Sequence, residues 1–132
     1  RLPANNKTIN KSILENLTGV IRESDRYFMI PKENVLLQNL YGFAQYSCDT
    51  PSEFEQLFYD QYGVKIRLTE YVSDIKHVFT HREWRMHVYG GEVAGERSFG
   101  DRTDFYSLEE IEKLPVSTAH LKVLKSYLKA VN

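Results

Sequence analysis

Apolar positions recur along this chain with two different periods, and the changes of period mark its elements. Ile13 to Ile21 mixes Leu, Val, Ile and Thr with polar residues and predicts a strand. Tyr27-Phe28-Met29-Ile30 is a short apolar run stopped by Pro31, which predicts a second strand. Lys32 to Leu40 reads as a loop carrying the apolar stretch Val35-Leu36-Leu37, and Gly42 to Tyr46 as a short strand. A helix is announced next. Thr50 suits the N-cap, Pro51 the first helical position, and Glu53 completes a capping box. Phe54, Leu57 and Phe58 follow at helical spacing, and Gly63 ends the helix where a left-handed residue is wanted.

Two strands around a tight connection are predicted beyond it. One runs from about Tyr71 to Phe79. The other runs from Arg82 to Tyr89, with Trp84, Met86 and Val88 alternating against Glu83, Arg85 and His87. Gly90 to Asp101 is glycine-rich and polar and reads as a loop. Phe105-Tyr106 predicts an edge strand, and Ser107 with Glu110 a capping box on a short helix broken at Leu114-Pro115. Ser117 or Thr118 caps a last helix, whose apolar face is expected at Leu121, Leu124, Leu128 and Val131. Trp84, Phe54 and Leu57 are expected in the core. The fold class predicted is mixed α+β: a central sheet, one long helix and a C-terminal helical pair.

Composition narrows what such a domain does. At 132 residues, 42% hydrophobic and 27% charged, the chain is one globular domain with a real core. Arg1 to Lys11, with Pro3 and three Asn, reads as an interdomain linker, leaving residues 12–132 as the domain. A chain opening on Arg1 rather than Met is expected to be a piece of a longer protein. No apolar run approaches the roughly 20 residues of a membrane helix, so no membrane partner is expected. Cys48 is the only cysteine, which excludes an internal disulfide and fits a reducing, cytoplasmic compartment. A net charge of −1 means that any nucleic-acid contact must come from a local patch.

Such a patch is present. Lys76, His77, His81, Arg82, Arg85 and His87 lie close together against a single acid, Glu83, with Phe79 at the bend. Nucleic-acid contact uses cations for phosphate, a ring to wedge or stack, and a small polar group for a base edge. An ordinary solvated hairpin has the same composition. Arg82 and Arg85 either reach phosphate or pair with neighbouring acids. Lys122, Lys125 and Lys129 stripe the last helix as a solvated face or a further DNA contact.

Two resemblances sharpen this. The spacing Gly42, Gly63, Val64 resembles the frame of the Nudix box, but its functional positions differ. Cys48 stands at the loop Glu position, Gln56 at the helix Arg, Leu57 at the Glu after it, and Asp60 and Gln61 at the two metal-binding Glu. Nudix hydrolases hold Mg²⁺ through helix carboxylates, and Asp60 is one carboxylate on a shorter stem. The segment His77-Val78-Phe79-Thr80-His81, followed by Trp84, resembles the Phe-Ser/Thr-His loop in the C-terminal domain of bacterial adenine DNA glycosylases of the MutY type. Leu36-Leu37-Gln38-Asn39-Leu40-Tyr41-Gly42-Phe43 is similar to that family's Leu-Leu-x-x-Leu-Trp-Glu-Phe segment. Leu114-Pro115-Val116-Ser117 with His120 resembles its closing helix start, and Leu2-Pro3 the start of its connector. Tyr41-Gly42 departs from the usual Trp-Glu, and Val35 from a common Gly.

The resemblance implies a Nudix-like fold without Nudix chemistry, serving base-excision repair by recognising 8-oxoguanine opposite adenine in duplex DNA. It implies that Thr80 hydrogen-bonds the lesion, flanked by Phe79 and His81; Arg82 and Lys76 of the basic patch are expected at the DNA beside them. It places no catalytic residue, metal or cofactor here. The glycosidic bond cleavage and a [4Fe-4S] cluster belong to an N-terminal catalytic domain of the same parent chain, since lone Cys48 cannot supply four thiolates. Two rivals stand beside it: a Nudix-type nucleotide pyrophosphohydrolase, and a protein-interaction module docking through residues 90–101 or the final helix.

Overall fold

The computed structural model describes residues 12–32, 40–78, 81–95 and 104–131. Strand β1 (Ser12–Glu23) lies inside a six-stranded sheet. Along one edge it pairs in parallel with β7 (Arg82–Val93), from Ser12 opposite Arg82 to Arg22 opposite Glu92. Its other edge is shared by β5 (Ala44–Tyr46) and β2 (Arg26–Phe28), both antiparallel. Strand β6 (Ile66–Val78) flanks β7, and β8 (Phe105–Ser107) closes the far side on β2. Strands β3 (Ile30–Lys32) and β4 (Leu40–Gly42) form a separate two-stranded ribbon.

Helix α1 (Pro51–Tyr62) covers one face of the sheet, and α2 (Leu108–Glu112) with α3 (Thr118–Val131) covers the other. Successive residues of the strands therefore serve different cores. Val20, Tyr27 and Phe43 pack with Met86, Val88, Val123 and Tyr127. Their neighbours Ile21, Phe28 and Ala44 pack with Phe54, Phe58 and Val64. Burial on both faces explains why β1 reads as a near-continuous apolar run at its C-terminal half rather than as an alternation.

The mixed α+β class is as expected, with the helical pair in place. Thr50 Oγ1 accepts from Glu53 N at 3.2 Å, and Gly63 closes α1 at φ 71°. The Glu53 carboxylate reaches Asp49 N (3.1 Å), one residue before the cap. At α2 the reciprocal box is complete: Glu110 N donates to Ser107 Oγ and Ser107 N to Glu110 Oε1. Ser117 starts α3, its carbonyl accepting from Leu121 N and its hydroxyl from His120 N.

Several expectations are corrected. Strand β6 begins at Ile66 rather than Tyr71, and Gly90 to Val93 belong to β7 rather than to a loop. The two glycines are there because the neighbouring strand is close. A Cβ on Gly90 would sit 2.7 Å from Glu70 Oε2, and on Gly91 2.9 Å from the Arg67 carbonyl oxygen. Pro31 does not stop the chain but lies in β3, opposite Tyr41, where among the described residues no third strand needs its missing N–H. The stretch 42–46 is broken at Phe43, where the chain leaves β3 for β1 as its partner. Leu57 is 39% exposed, outside the core. The buried face of α3 is Ala119, His120, Val123, Leu124 and Tyr127, while Leu121 and Val131 are 40% and 48% exposed. Burying Tyr127 and His120 turns that helix away from the purely aliphatic stripe. The predicted loop around Val35-Leu36-Leu37, the linker 1–11, and most of the polar stretch after Gly95 lie outside the described residues.

Candidate nucleic-acid interface

Helix α1 carries the box positions, and its polar groups are engaged in holding local structure. Gln56 Nε2 donates to Asp60 Oδ1 at 2.8 Å, and the Tyr46 hydroxyl donates to Gln61 Oε1 at 2.5 Å. The carboxylate of Glu55 accepts from Leu68 N at 2.9 Å, tying the helix to β6. Burial and the neighbouring Glu53 push the Cys48 thiol up, which keeps it protonated and a poor metal ligand. Among the described residues no group of three or more His, Cys, Asp or Glu converges to hold a metal ion. The residues present do not fit Mg²⁺, which needs oxygen ligands converging on an octahedron.

The hairpin of β6 and β7 runs to the pair Val78 and Glu83. Phe79 and Thr80 lie between them, outside the described residues. His81 is exposed, and its backbone oxygen accepts from Ser12 N at 3.0 Å, so the hairpin end is tied to the start of β1. Arg82 is exposed opposite Ser12, and Val78 is 50% exposed. Lys76 is exposed opposite Arg85.

The basic residues that are adjacent in sequence separate onto two faces, because side chains alternate along a strand. On the α1 side, Lys76 stands beside Arg85 and His87. Arg85 is committed to Glu83, with Nε 2.6 Å from Oε2, and this pairing holds the guanidinium pKa up. Glu83 is only 6% exposed, so the pair is partly desolvated. His87 Nδ1 lies 2.7 Å from Asp74 Oδ1 and Nε2 lies 3.6 Å from Glu15. Hydrogen bonds from His87 and Tyr71 hold the Asp74 carboxyl below the usual range. Arg85 is thus a pairing residue rather than a ready phosphate ligand, while Lys76, His81 and Arg82 remain exposed.

On the α3 side, His77 Nδ1 lies 2.9 Å from Lys122 Nζ. Burial and then Lys122 lower the His77 pKa, which favours a neutral ring accepting the lysine proton. Deeper still, His120 is buried, and its Nδ1 accepts from Phe43 N at 3.0 Å. A Cβ on Gly42 would lie 2.7 Å from that ring. This explains the glycine: the histidine ring occupies the space a side chain would need. Sequence reasoning passed over the inward turn of His77, because it depends on β6 and α3 meeting in space.

The NUDIX domain family matches residues 17–126. Among solved structures, the C-terminal domain of mouse MUTYH, determined in complex with human PCNA, superposes with a TM-score of 0.64 at 18% identity, covering 87% of each chain. The Escherichia coli ORF135 protein superposes at 0.67 with 14% identity, over 90% of this chain and 91% of that one. The NUDIX domain of Shewanella oneidensis NrtR, complexed with ADP ribose, superposes at 0.68 with 12% identity, over 98% and 96%. At these identities the structures speak for the fold, and with the family match over most of its length the chain belongs to the NUDIX domain family.

Proposed function

We propose that this domain reads 8-oxoguanine opposite adenine in duplex DNA, as the non-catalytic C-terminal part of an adenine DNA glycosylase of the MutY type. The observation that carries the proposal is the exposure of the residues that flank the β6–β7 connection. Val78, His81 and Arg82 are exposed on either side of Phe79-Thr80, in a domain whose box positions lack the ligands for metal chemistry. The similarity in fold to the MUTYH C-terminal domain supports it.

The recognition chemistry is simple. Guanine N7 is an acceptor in the major groove. In 8-oxoguanine N7 carries a proton and C8 a carbonyl. The Thr80 hydroxyl both donates and accepts, so it answers the inverted pattern. Phe79 wedges beside the base, His81 supports the contact, and Lys76 and Arg82 neutralise phosphate. Adenine excision and the [4Fe-4S] cluster belong to the N-terminal domain of the parent chain.

The test uses that parent with Thr80→Ala, Phe79→Ala or His81→Ala, in single-turnover excision from 8-oxoguanine:adenine and guanine:adenine duplexes. Loss of a contact worth about 1–3 kcal/mol lowers the preference for the lesion by roughly ten- to a hundredfold. Equal losses on both duplexes would sink the reading.

A second reading, a nucleotide pyrophosphohydrolase, is favoured by the hydrolases of the same fold, such as a Burkholderia pseudomallei MutT NUDIX hydrolase (TM-score 0.68, 12% identity). Incubation with Mg²⁺ and 8-oxo-dGTP separates the two. No turnover is expected, since Gln56, Leu57 and Gln61 supply no carboxylate.

A further inference from the structure

At the end of the sheet away from the β6–β7 connection lies a cavity of about 330 Å³. Strand pairing builds it. Arg67, Glu92, Arg22 and Tyr27 form one row across β6, β7, β1 and β2. The next row holds Glu70, Gly90 and Val20. Val20 and Tyr27 pack in the core under α3, so both rows face that helix. Gly90 has no side chain, and its neighbours close on that position: a Cβ there would lie 2.7 Å from Glu70 Oε2 and 3.1 Å from Tyr127 Cε1. The Glu70 carboxylate is thereby brought in over the sheet. Tyr127 and Val131 wall the cavity from the last turns of α3. Its volume is that of a site for a small metabolite.

The charges around it are arranged in a particular way. Glu92 is committed to Arg67, with Oε2 2.8 Å from Nη2. Arg22 and Glu70 line the same cavity, yet among the described residues no ion pair joins them. Each is oriented by neutral groups instead. Arg22 donates to the Tyr127 hydroxyl and to the Ser24 carbonyl oxygen (3.3 Å). Glu70 Oε1 accepts from Thr69 Oγ1 at 2.9 Å. A cation and an anion held apart across one cavity complement a ligand that carries both charges. A phosphate or other polyanion would meet the Glu70 carboxylate and be repelled. The remaining wall is apolar: the Tyr27 and Tyr127 rings, with centroids 5.8 Å apart, and the exposed side chain of Val131.

We infer that this cavity binds a small zwitterion, an α-amino acid with an apolar side chain. Its carboxylate accepts from the Arg22 guanidinium, and its ammonium group donates to the Glu70 carboxylate. Its side chain lies against the tyrosine rings and Val131. The site stands at the far end of β1 from Ser12 and the connection that carries Phe79 and Thr80, so it is independent of the lesion-reading proposal.

The test is calorimetric titration of the full chain with L-leucine, with isoamylamine, which lacks the carboxylate, and with isocaproate, which lacks the ammonium group. L-leucine is expected to bind saturably and each analogue at least about tenfold more weakly, since each forfeits one charge-assisted contact. Arg22→Gln and Glu70→Gln are each expected to weaken L-leucine by about tenfold or more, and Glu109→Gln, the same kind of change on the exposed face of α2, to leave it unaltered. In Arg22→Gln, L-leucine and isoamylamine should bind alike, a levelling that loss of packing alone would not produce. Thermal melts establish that each variant is folded. Should a variant unfold, the comparison of the three ligands on the unsubstituted chain decides without it. Absence of saturable binding by both L-leucine and L-phenylalanine overturns the inference. Equal binding of L-leucine and isoamylamine by the unsubstituted chain also overturns it, leaving a site for a cation alone. So does L-leucine binding untouched by both substitutions, which would place the amino acid elsewhere.

Discussion

Phe28→Ala is expected to destabilise the domain by about 3–5 kcal/mol, the range for deleting a fully buried aromatic side chain. Phe28 is fully buried and sits at the centre of an aromatic group. Its ring centroid is 4.9 Å from Phe58, 4.8 Å from Tyr62 and 5.4 Å from Phe105, each at a steep edge-to-face angle. These partners come from α1, its C-terminal turn and β8. One substitution therefore loosens the helix and the edge strand together. Domains of this size hold only about 5–15 kcal/mol in total, so the variant will be marginal or unfolded. Urea unfolding with Val78→Ala as an exposed comparison provides the check. A loss below about 1 kcal/mol would show that the aromatic group repacks around the cavity, and the account of the second core would be wrong.

Acid is expected to unfold the domain through His120 well before the carboxylates protonate. Burial, and after it Lys32 and His77, bring the His120 pKa down to about 3 from an ordinary 6.5. The folded protein thus holds the ring neutral where the unfolded chain binds a proton. The stabilisation is complete above pH 6.5 and is lost progressively as pH falls towards 3. Its steepest slope is about 1.4 kcal/mol per pH unit, so between pH 6.5 and 5 the loss approaches roughly 2 kcal/mol. The lowered His77 pKa acts in the same direction. The lowered carboxyls of Asp74 and Glu110 withdraw their stabilisation only below the carboxylate range, so the interval above pH 5 isolates the histidines. His120→Gln keeps an acceptor for Phe43 N and cannot charge. Denaturant melts at pH 7 and pH 5 should show a large drop in the parent domain and a smaller one in the variant. Equal drops would assign the acid sensitivity elsewhere.

What could be read from the sequence was whatever local chemistry decides. The Thr50 cap, Gly63 and the Ser107–Glu110 box need only residues within a few positions, and all form. Trp84, Met86 and Val88 face one core because strand alternation is also local. Gly90 and Gly91 looked like loop residues because their reason is the proximity of Glu70 and Arg67 on another strand. Leu121 looked buried because a helical stripe counts leucines, whereas the fold chose His120 and Tyr127. The same divide runs through the candidate site. The connected end of the hairpin was legible and its outer ends, at Ile66 and Val93, were not; nor could the sequence decide that Arg85 commits to Glu83 and His87 to Asp74. Nor was the pairing of His77 with Lys122 across β6 and α3 legible. A basic cluster in sequence became one set of paired side chains and another of exposed ones.

The parallel ladder between β1 and β7 has a kinetic meaning. Ser12 finds Arg82, and Arg22 finds Glu92, so the strand made first waits for one of the last to be made. Strands β6 and β7 are joined by a short connection and pair with each other early, since closing a short loop is fast. Insertion of β1 beside β7 must close a far longer loop. Pulsed hydrogen exchange should then protect amides of the hairpin before those of β1. In synthesis on the ribosome β1 emerges first, and its docking beside the finished β6–β7 hairpin is the step that turns two half-cores into a domain.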